Sequence, residues 1–145
     1  RSKMRYFFLT LISLLILSCT PSPCPELSRK KPNYYIEEYL TYNDDGPYTG
    51  RCALYIADTL SSIQQYKNGY ENGKWKFYYK NGGLETNATF DMGKRAGVWR
   101  YYYEDGKLMQ ISNYKDGNRD GFWYRLENNG DTIWTEEYSG GKLVN

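Results

Sequence analysis

Between Tyr66 and Tyr138, apolar and aromatic residues arrive in short runs separated by polar clusters rich in Gly, Asn and Asp. One unit reads Lys74-Trp75-Lys76-Phe77-Tyr78-Tyr79-Lys80, then Asn81-Gly82-Gly83, then Leu84 through Phe90. The next answers with Val98 through Glu104, Asp105-Gly106 and Leu108 through Tyr114, and a third with Phe122 through Glu127, Asn129-Gly130 and Thr132 through Tyr138. Short apolar-aromatic runs of this kind predict strands, and Asn-Gly or Asp-Gly between two of them predicts a hairpin, because a type I′ turn needs positive φ at both central residues. The second connection of each unit, such as Lys115 through Gly121, is longer and equally rich in turn formers. Each unit is thus predicted as two strands of about six residues and two turns, with no long stretch of helical periodicity.

The units repeat at a spacing of 24 residues: Tyr66, Phe90, Tyr114 and Tyr138 keep step, as do Trp75, Trp99 and Trp123, and Gly73, Gly97 and Gly121. A fixed period in this range marks a repeat architecture in which each unit buries its apolar face against its neighbours. Side chains alternate faces along a strand, so an even period keeps equivalent residues on one face and predicts a Trp stripe and a Tyr/Phe stripe across the sheet. A degenerate unit precedes the regular ones, with Tyr42, Tyr55 and Leu60 in step, Arg51 at the Trp position, and Gly46 and Gly50 each displaced by one residue. Tyr34 through Leu40 is expected to add one more strand.

The pattern Tyr-Lys-(Asn/Asp)-Gly-x3-Gly-x-Trp-x3-Tyr-x2-(Asn/Asp)-Gly, seen in Tyr66-Lys67-Asn68-Gly69, Tyr114-Lys115-Asp116-Gly117 and the three Gly-x-Trp steps, resembles the MORN repeat. The variant it resembles is that of bacterial YwqK-type antitoxin-like proteins, over roughly residues 42–145. The resemblance implies an all-β fold: an elongated single antiparallel sheet of tandem β-hairpins. Phe90-Asp91-Met92-Gly93 and Arg51 depart from the pattern, which leaves the outer boundary of the first unit open.

The N-terminus points to a compartment. Met4 is the expected start, Arg5 supplies a positive charge, and Tyr6 through Leu17 is an apolar run too short to span a bilayer. Leu15-Ile16-Leu17-Ser18-Cys19 resembles the lipobox of bacterial lipoproteins, which implies a signal peptide over residues 1–18, cleavage before Cys19 and lipidation of its thiol. Residues 19–33, with Pro21, Pro23 and Pro25, then read as a semi-rigid tether holding a repeat domain, residues 34–145, away from the membrane. The expected location is the bacterial cell envelope, lipid-anchored on the periplasmic face or the cell surface. Without Arg1, Lys3 and Arg5, 16 basic residues face 17 acidic ones, so the mature chain has no basic excess to attract nucleic acid. With Cys19 lipidated, Cys24 and Cys52 remain; an oxidising envelope permits a disulfide between them, and two free thiols are the alternative.

Candidate chemistry is sparse. The chain has no His, which removes imidazole bases and the commonest zinc ligand, and no pair of acids stands out from the turns. Asp116, Asn118, Asp120 and Glu127 satisfy the calcium-loop template, but their flanks are strand-like and the repeat explains the same residues as turn formers. No metal or other cofactor is therefore expected. Trp75, Trp99, Trp123, Tyr79 and Tyr103, flanked by Lys74, Lys76, Lys80, Arg100 and Arg125, form a candidate binding face that would take a sugar or a protein. The expected function is a non-catalytic binding scaffold for a protein or cell-envelope component. An antitoxin or immunity protein sequestering a toxin is the alternative, and an envelope enzyme acting on glycans is a third reading disfavoured by the empty catalytic inventory.

Overall fold

A computed structural model describes residues 21–30 and 40–144. The signal-peptide segment 1–18 and the lipidation candidate Cys19 lie outside the described residues, as does most of Tyr34 through Leu40. A small sheet holds β1 (Ser28–Lys30), β2 (Leu40–Asn43) and β3 (Gly46–Pro47) in that order. A second, long sheet starts with β4 (Gly50–Ile56) and β5 (Thr59–Lys67). Three copies of one module follow, each a two-residue strand and a long hairpin: β6 (Tyr70–Glu71), β7 (Gly73–Tyr78) and β8 (Leu84–Asp91); β9 (Lys94–Arg95), β10 (Gly97–Tyr102) and β11 (Leu108–Lys115); β12 (Asn118–Arg119), β13 (Gly121–Leu126) and β14 (Thr132–Ser139). β15 (Lys142–Leu143) closes the series. The long strands lie side by side in chain order, all antiparallel, so residues 50–143 form one long sheet of tandem hairpins, and there is no helix among the described residues.

Each unit has three strands where two were expected, because the two kinds of turn are exchanged relative to the sequence reading. The two-residue type I′ turns are Asn68-Gly69, Met92-Gly93, Asp116-Gly117 and Gly140-Gly141, where both residues have positive φ, as in Asn68 at 51° and Gly69 at 82°. They reverse the chain into the short strands β6, β9, β12 and β15. The Asn-Gly and Asp-Gly pairs at the hairpin tips sit instead in three-residue loops. Tyr79 N donates to Gly83 O, and Gly82 N, at φ 83°, donates to Tyr79 O, a type I turn closed by one left-handed residue. Tyr103–Lys107 and Glu127–Asp131 repeat this bonding. The Asn81 carboxamide oxygen accepts Gly83 N at 2.9 Å, so Asn serves there as a turn-closing acceptor and its own backbone stays right-handed.

Register repeats with the same fidelity. Gly73 faces Phe90, Gly97 faces Tyr114 and Gly121 faces Tyr138, which leaves room for each ring to lie across the opposite strand. Every long hairpin carries a one-residue register shift near its tip, between Phe77 and Tyr78 in the second hairpin and at the matching point in the others. One bulge per hairpin adds twist at a constant rate along the array. Successive hairpins share only two paired positions each, such as Ser62 with Phe77 and Ile63 with Lys76.

The first hairpin corrects the alignment of the degenerate unit. Gly50 faces Tyr66 as Gly73 faces Phe90, and Cys52 faces Gln64 as Trp75 faces Ala88. Cys52, and not Arg51, therefore occupies the Trp position. The hairpin tip there is the two-residue turn Ala57-Asp58, both with positive φ, one residue shorter than the other tips. That deletion is the source of the one-residue glycine displacement.

The main core is a row of rings on one face, while Ala53 and Ile63, paired on the opposite face of the first hairpin, are also buried. Tyr48, Tyr66, Trp75, Phe90, Trp99, Tyr114, Trp123 and Tyr138 contact in that order, with centroid separations of 5.0–5.7 Å and inclined planes. The two expected stripes interleave into one, since each Trp packs against the Tyr or Phe on either side. Inclined ring pairs at these distances are each worth about 0.5–1.5 kcal/mol beyond the area they bury.

Candidate functional site

The Trp residues proposed for a binding face are buried. Trp75, Trp99 and Trp123 are 5–6% exposed, which leaves no ring face for a ligand to stack on. Their indole N–H groups are also committed: Trp75 Nε1 donates to Gln65 O at 2.8 Å, Trp99 Nε1 to Thr89 O at 2.9 Å, and Trp123 Nε1 to Asn113 O at 3.0 Å. Each bond reaches the last strand of the preceding hairpin, so the Trp locks one unit to the next. Tyr79 and Tyr103 are part-buried and do the same at the opposite end, where Tyr79 Oη donates to Tyr102 O at 2.6 Å and Tyr103 Oη to Leu126 O at 2.8 Å. The sequence reading took these five residues for an exposed platform because spacing places residues on a common face without saying which face neighbouring units cover.

Two arginines complete the row. Arg95 donates to Tyr114 Oη and lies 5.0 Å from the Trp99 ring centroid; Arg119 donates to Tyr138 Oη and lies 4.5 Å from the Trp123 ring. These clamps were not anticipated, though their spacing of 24 residues was there to be read. Burial pushes the Tyr66 phenol up to about 12, with the nearby Glu71 carboxylate acting the same way. Burial, and then the neighbouring Tyr114, likewise takes Tyr101 up to about 12.

The calcium-loop residues do not converge. Asp116 is in a type I′ turn, Asn118 pairs with Lys115 in the short strand, and the Asp120 carboxylate accepts Gly140 N at 3.1 Å. Glu127 lies beyond the whole length of β13, roughly 20 Å along the strand at about 3.3 Å per residue.

Cys24 and Cys52 form a disulfide, with Cα atoms 4.6 Å apart. The bridge takes the place in the row that a Trp holds in the later units, and Cys52 is 1% exposed. Around it the expected spacer is part of the domain. Ala53 N donates to Ser22 O at 2.9 Å and Cys24 N to Ala53 O at 2.8 Å, so Ser22–Cys24 runs parallel to β4 and covers its outer edge. The bonding needs no N–H from Pro23, which is why a proline is tolerated at this edge. Leu27 packs against the ring row, and Arg29 pairs with Glu71 at 3.6 Å.

The first two hairpins lack the Tyr clasp. Ile56 stands where Tyr79 and Tyr103 stand in the later units, and its side chain is 62% exposed. A cleft of about 380 Å³ opens there, lined by Ile56, Leu60, Tyr78, Tyr79 and Lys80 among others.

Each hairpin and the turn after it thus forms one closed module. Residues 71–92 and 95–116 match the family model of the MORN repeat variant. Each matched MORN stretch contains one long hairpin with its Gly-x-Trp step and ends on the first residue of the following type I′ turn. The third hairpin, β13–β14, repeats the MORN geometry bond for bond in its Trp, tip-loop and Arg–Tyr contacts. Neither the curated proteins nor the solved structures contain a match to the chain.

What the repeat leaves free is the other face of the sheet. Side chains alternate, so Lys74 and Lys76 point away from Trp75, Arg100 away from Trp99, and Arg51 away from Cys52. Val98 and Phe122, on the same face, are 38% and 45% exposed. Lys80 lies in a tip loop, and Arg125 belongs to the Trp face, where it donates to Gln110 Oε1 at 3.3 Å.

Proposed function

We propose that the chain is a non-catalytic repeat scaffold that binds a protein or cell-envelope component through the sheet face opposite its Trp row. The observation that carries this reading is the division of labour between the faces. One face spends its Trp, Tyr and Arg side chains on neighbouring units, while the other leaves Lys74, Lys76, Val98, Arg100 and Phe122 without a partner element. A lipid anchor at Cys19 supports an envelope setting, and the Cys24–Cys52 bridge suits an oxidising compartment. The bridge also ties the chain to the domain five residues after Cys19, which would hold the first hairpin close to the membrane.

The test is cross-linking in intact cells followed by capture from solubilised envelope, with Phe122→Asp and Val98→Asp as face controls. Recovery of an envelope component with the parent and its loss in both variants is the expected result. Capture of one toxin-like protein would replace this reading with sequestration, and undiminished capture by both variants would remove the face from consideration. Palmitate labelling that survives Cys19→Ser would sink the anchor.

A further inference from the structure

Within that reading, the free face has a definite charge. Arg51, Lys74, Lys76 and Arg100 all lie on it, and among the described residues none of the four forms an ion pair. The positions between them on β5, β8 and β11 are the neutral Ile63, Gln65, Asn87, Thr89, Ile111 and Asn113. Lys76 and Arg100 both face Asn87 from either side, which sets them two strands apart, roughly 9.6 Å. Tyr124 continues the same row past Ile111. Asp91, at the turn end of β8, and Glu137, opposite Phe122, lie on this face outside that group, and the hairpin tips carry Asp58, Glu104, Asp105, Glu127 and Asp131 against Lys80 and Lys107. A chain with almost no net charge therefore presents a basic band across the strands, bordered at the tips by an acidic rim.

We infer that this band binds an acidic polysaccharide of the cell envelope, laid across the strands with its carboxylates on Arg51, Lys74, Lys76 and Arg100. The shape of the charge selects a linear polyanion. An anionic lipid plane broad enough to cover the band would also meet the tip carboxylates, and like charge there opposes docking. A sugar chain also uses the flat surfaces on this face, since pyranose rings stack on exposed aromatic faces such as that of Phe122, which packs beside the half-buried Tyr124. An acidic peptide would gain only the ion pairs, because β7 and β10 lie between neighbouring strands and Ser22–Cys24 sits on the outer edge of β4, which leaves no open edge here for strand addition. The inference rests on the binding-scaffold reading and narrows its partner to one chemical class.

The experiment titrates the full chain, held in neutral detergent, with polygalacturonate as the carboxylate glycan. Dextran, polyglutamate and vesicles of phosphatidylglycerol and phosphatidylcholine are run alongside. Polygalacturonate should bind, and binding should weaken steeply between 50 mM and 300 mM salt, because exposed charge pairs are screened over about 10 Å at 0.1 M. The double variant Lys76→Glu/Arg100→Glu should lose affinity at least tenfold, while Lys67→Glu/Lys115→Glu, with the same net charge change at the turn end, should lose less than twofold. If the first variant fails to fold by circular dichroism, Lys76→Gln/Arg100→Gln replaces it and should lose affinity about threefold or more. No binding by the parent, equal loss in both pairs, or preference for polyglutamate or vesicles would each overturn the inference. Failure of the scaffold reading shows differently, as a chain that fractionates away from the envelope whatever it binds in solution.

Discussion

Trp99 stands at the middle of the ring row, and replacing it tests whether these aromatics build the sheet or wait for a ligand. Its side chain is 6% exposed and contacts Phe90 at 5.0 Å, Tyr114 at 5.4 Å and the Arg95 guanidinium at 5.0 Å. A buried Trp removes about 200 Å² from water, worth about 5 kcal/mol at 25 cal/mol per Å²; residual burial in the unfolded chain trims this. Trp99→Ala should therefore cost about 4 kcal/mol, within the usual range for emptying such a site. Trp99→Phe separates the ring from its N–H. The Thr89 carbonyl that receives Trp99 Nε1 also accepts Ala96 N at 3.0 Å, so losing the indole donor does not leave it unpaired. The Phe variant should lose only about 1–2 kcal/mol. Urea unfolding of the parent and both variants measures the two differences. In an array held by nearest-neighbour contacts, hydrogen exchange in the Ala variant should rise most in the strands bearing Phe90 and Tyr114 and least near Tyr138. A cost below about 1.5 kcal/mol for Trp99→Ala, or equal costs for Ala and Phe, would refute the argument that burial in the row holds neighbouring units together.

Four further outcomes follow from the geometry. Reducing the Cys24–Cys52 bridge, which spans a sequence separation of 28, should lower stability by about 3.5 kcal/mol on the loop-entropy estimate and expose the Ala53 amide to exchange; calorimetry with and without reductant reads the first effect. Met92 has a φ of 44° in a turn position that Asn68 and Asp116 fill in other units, so Met92→Asn should raise the urea midpoint, gaining about 1 kcal/mol. Ile56→Tyr should close the cleft between the first two hairpins by donating to Tyr78 O as Tyr79 donates to Tyr102 O, adding about 1 kcal/mol; an unchanged melting temperature would count against the clasp. Tyr66 and Tyr101 titrate near 12 when folded and near 10 when unfolded, so the folded state holds their protons more tightly. Their contribution is complete below pH 10 and is lost as pH rises from about 10 to 12; Tyr66→Phe should flatten that fall in a urea series.

Much of this fold is legible in the chain because its determinants are local. A 24-residue period, turn formers at fixed offsets and aromatic runs between them specify hairpins, their number and their order, since each hairpin meets only its neighbours. Local chemistry was less reliable in choosing between turn types: Asn-Gly occurs both at 68–69, where both residues are left-handed, and at 81–82, where only the glycine is. The difference lies in how many residues the flanking strand register leaves for the loop. Which side of the sheet is interior was decided by tertiary structure alone. Alternation puts Lys74 and Trp75 on opposite faces, but only the stacking of successive hairpins leaves the first exposed and buries the second, which removes the Trp row as a platform for a ligand. The same holds for the proline-rich segment, whose composition reads as a spacer. The edge of β4 and the sulfur of Cys52, brought to it through space, tie it to the outer edge of the sheet.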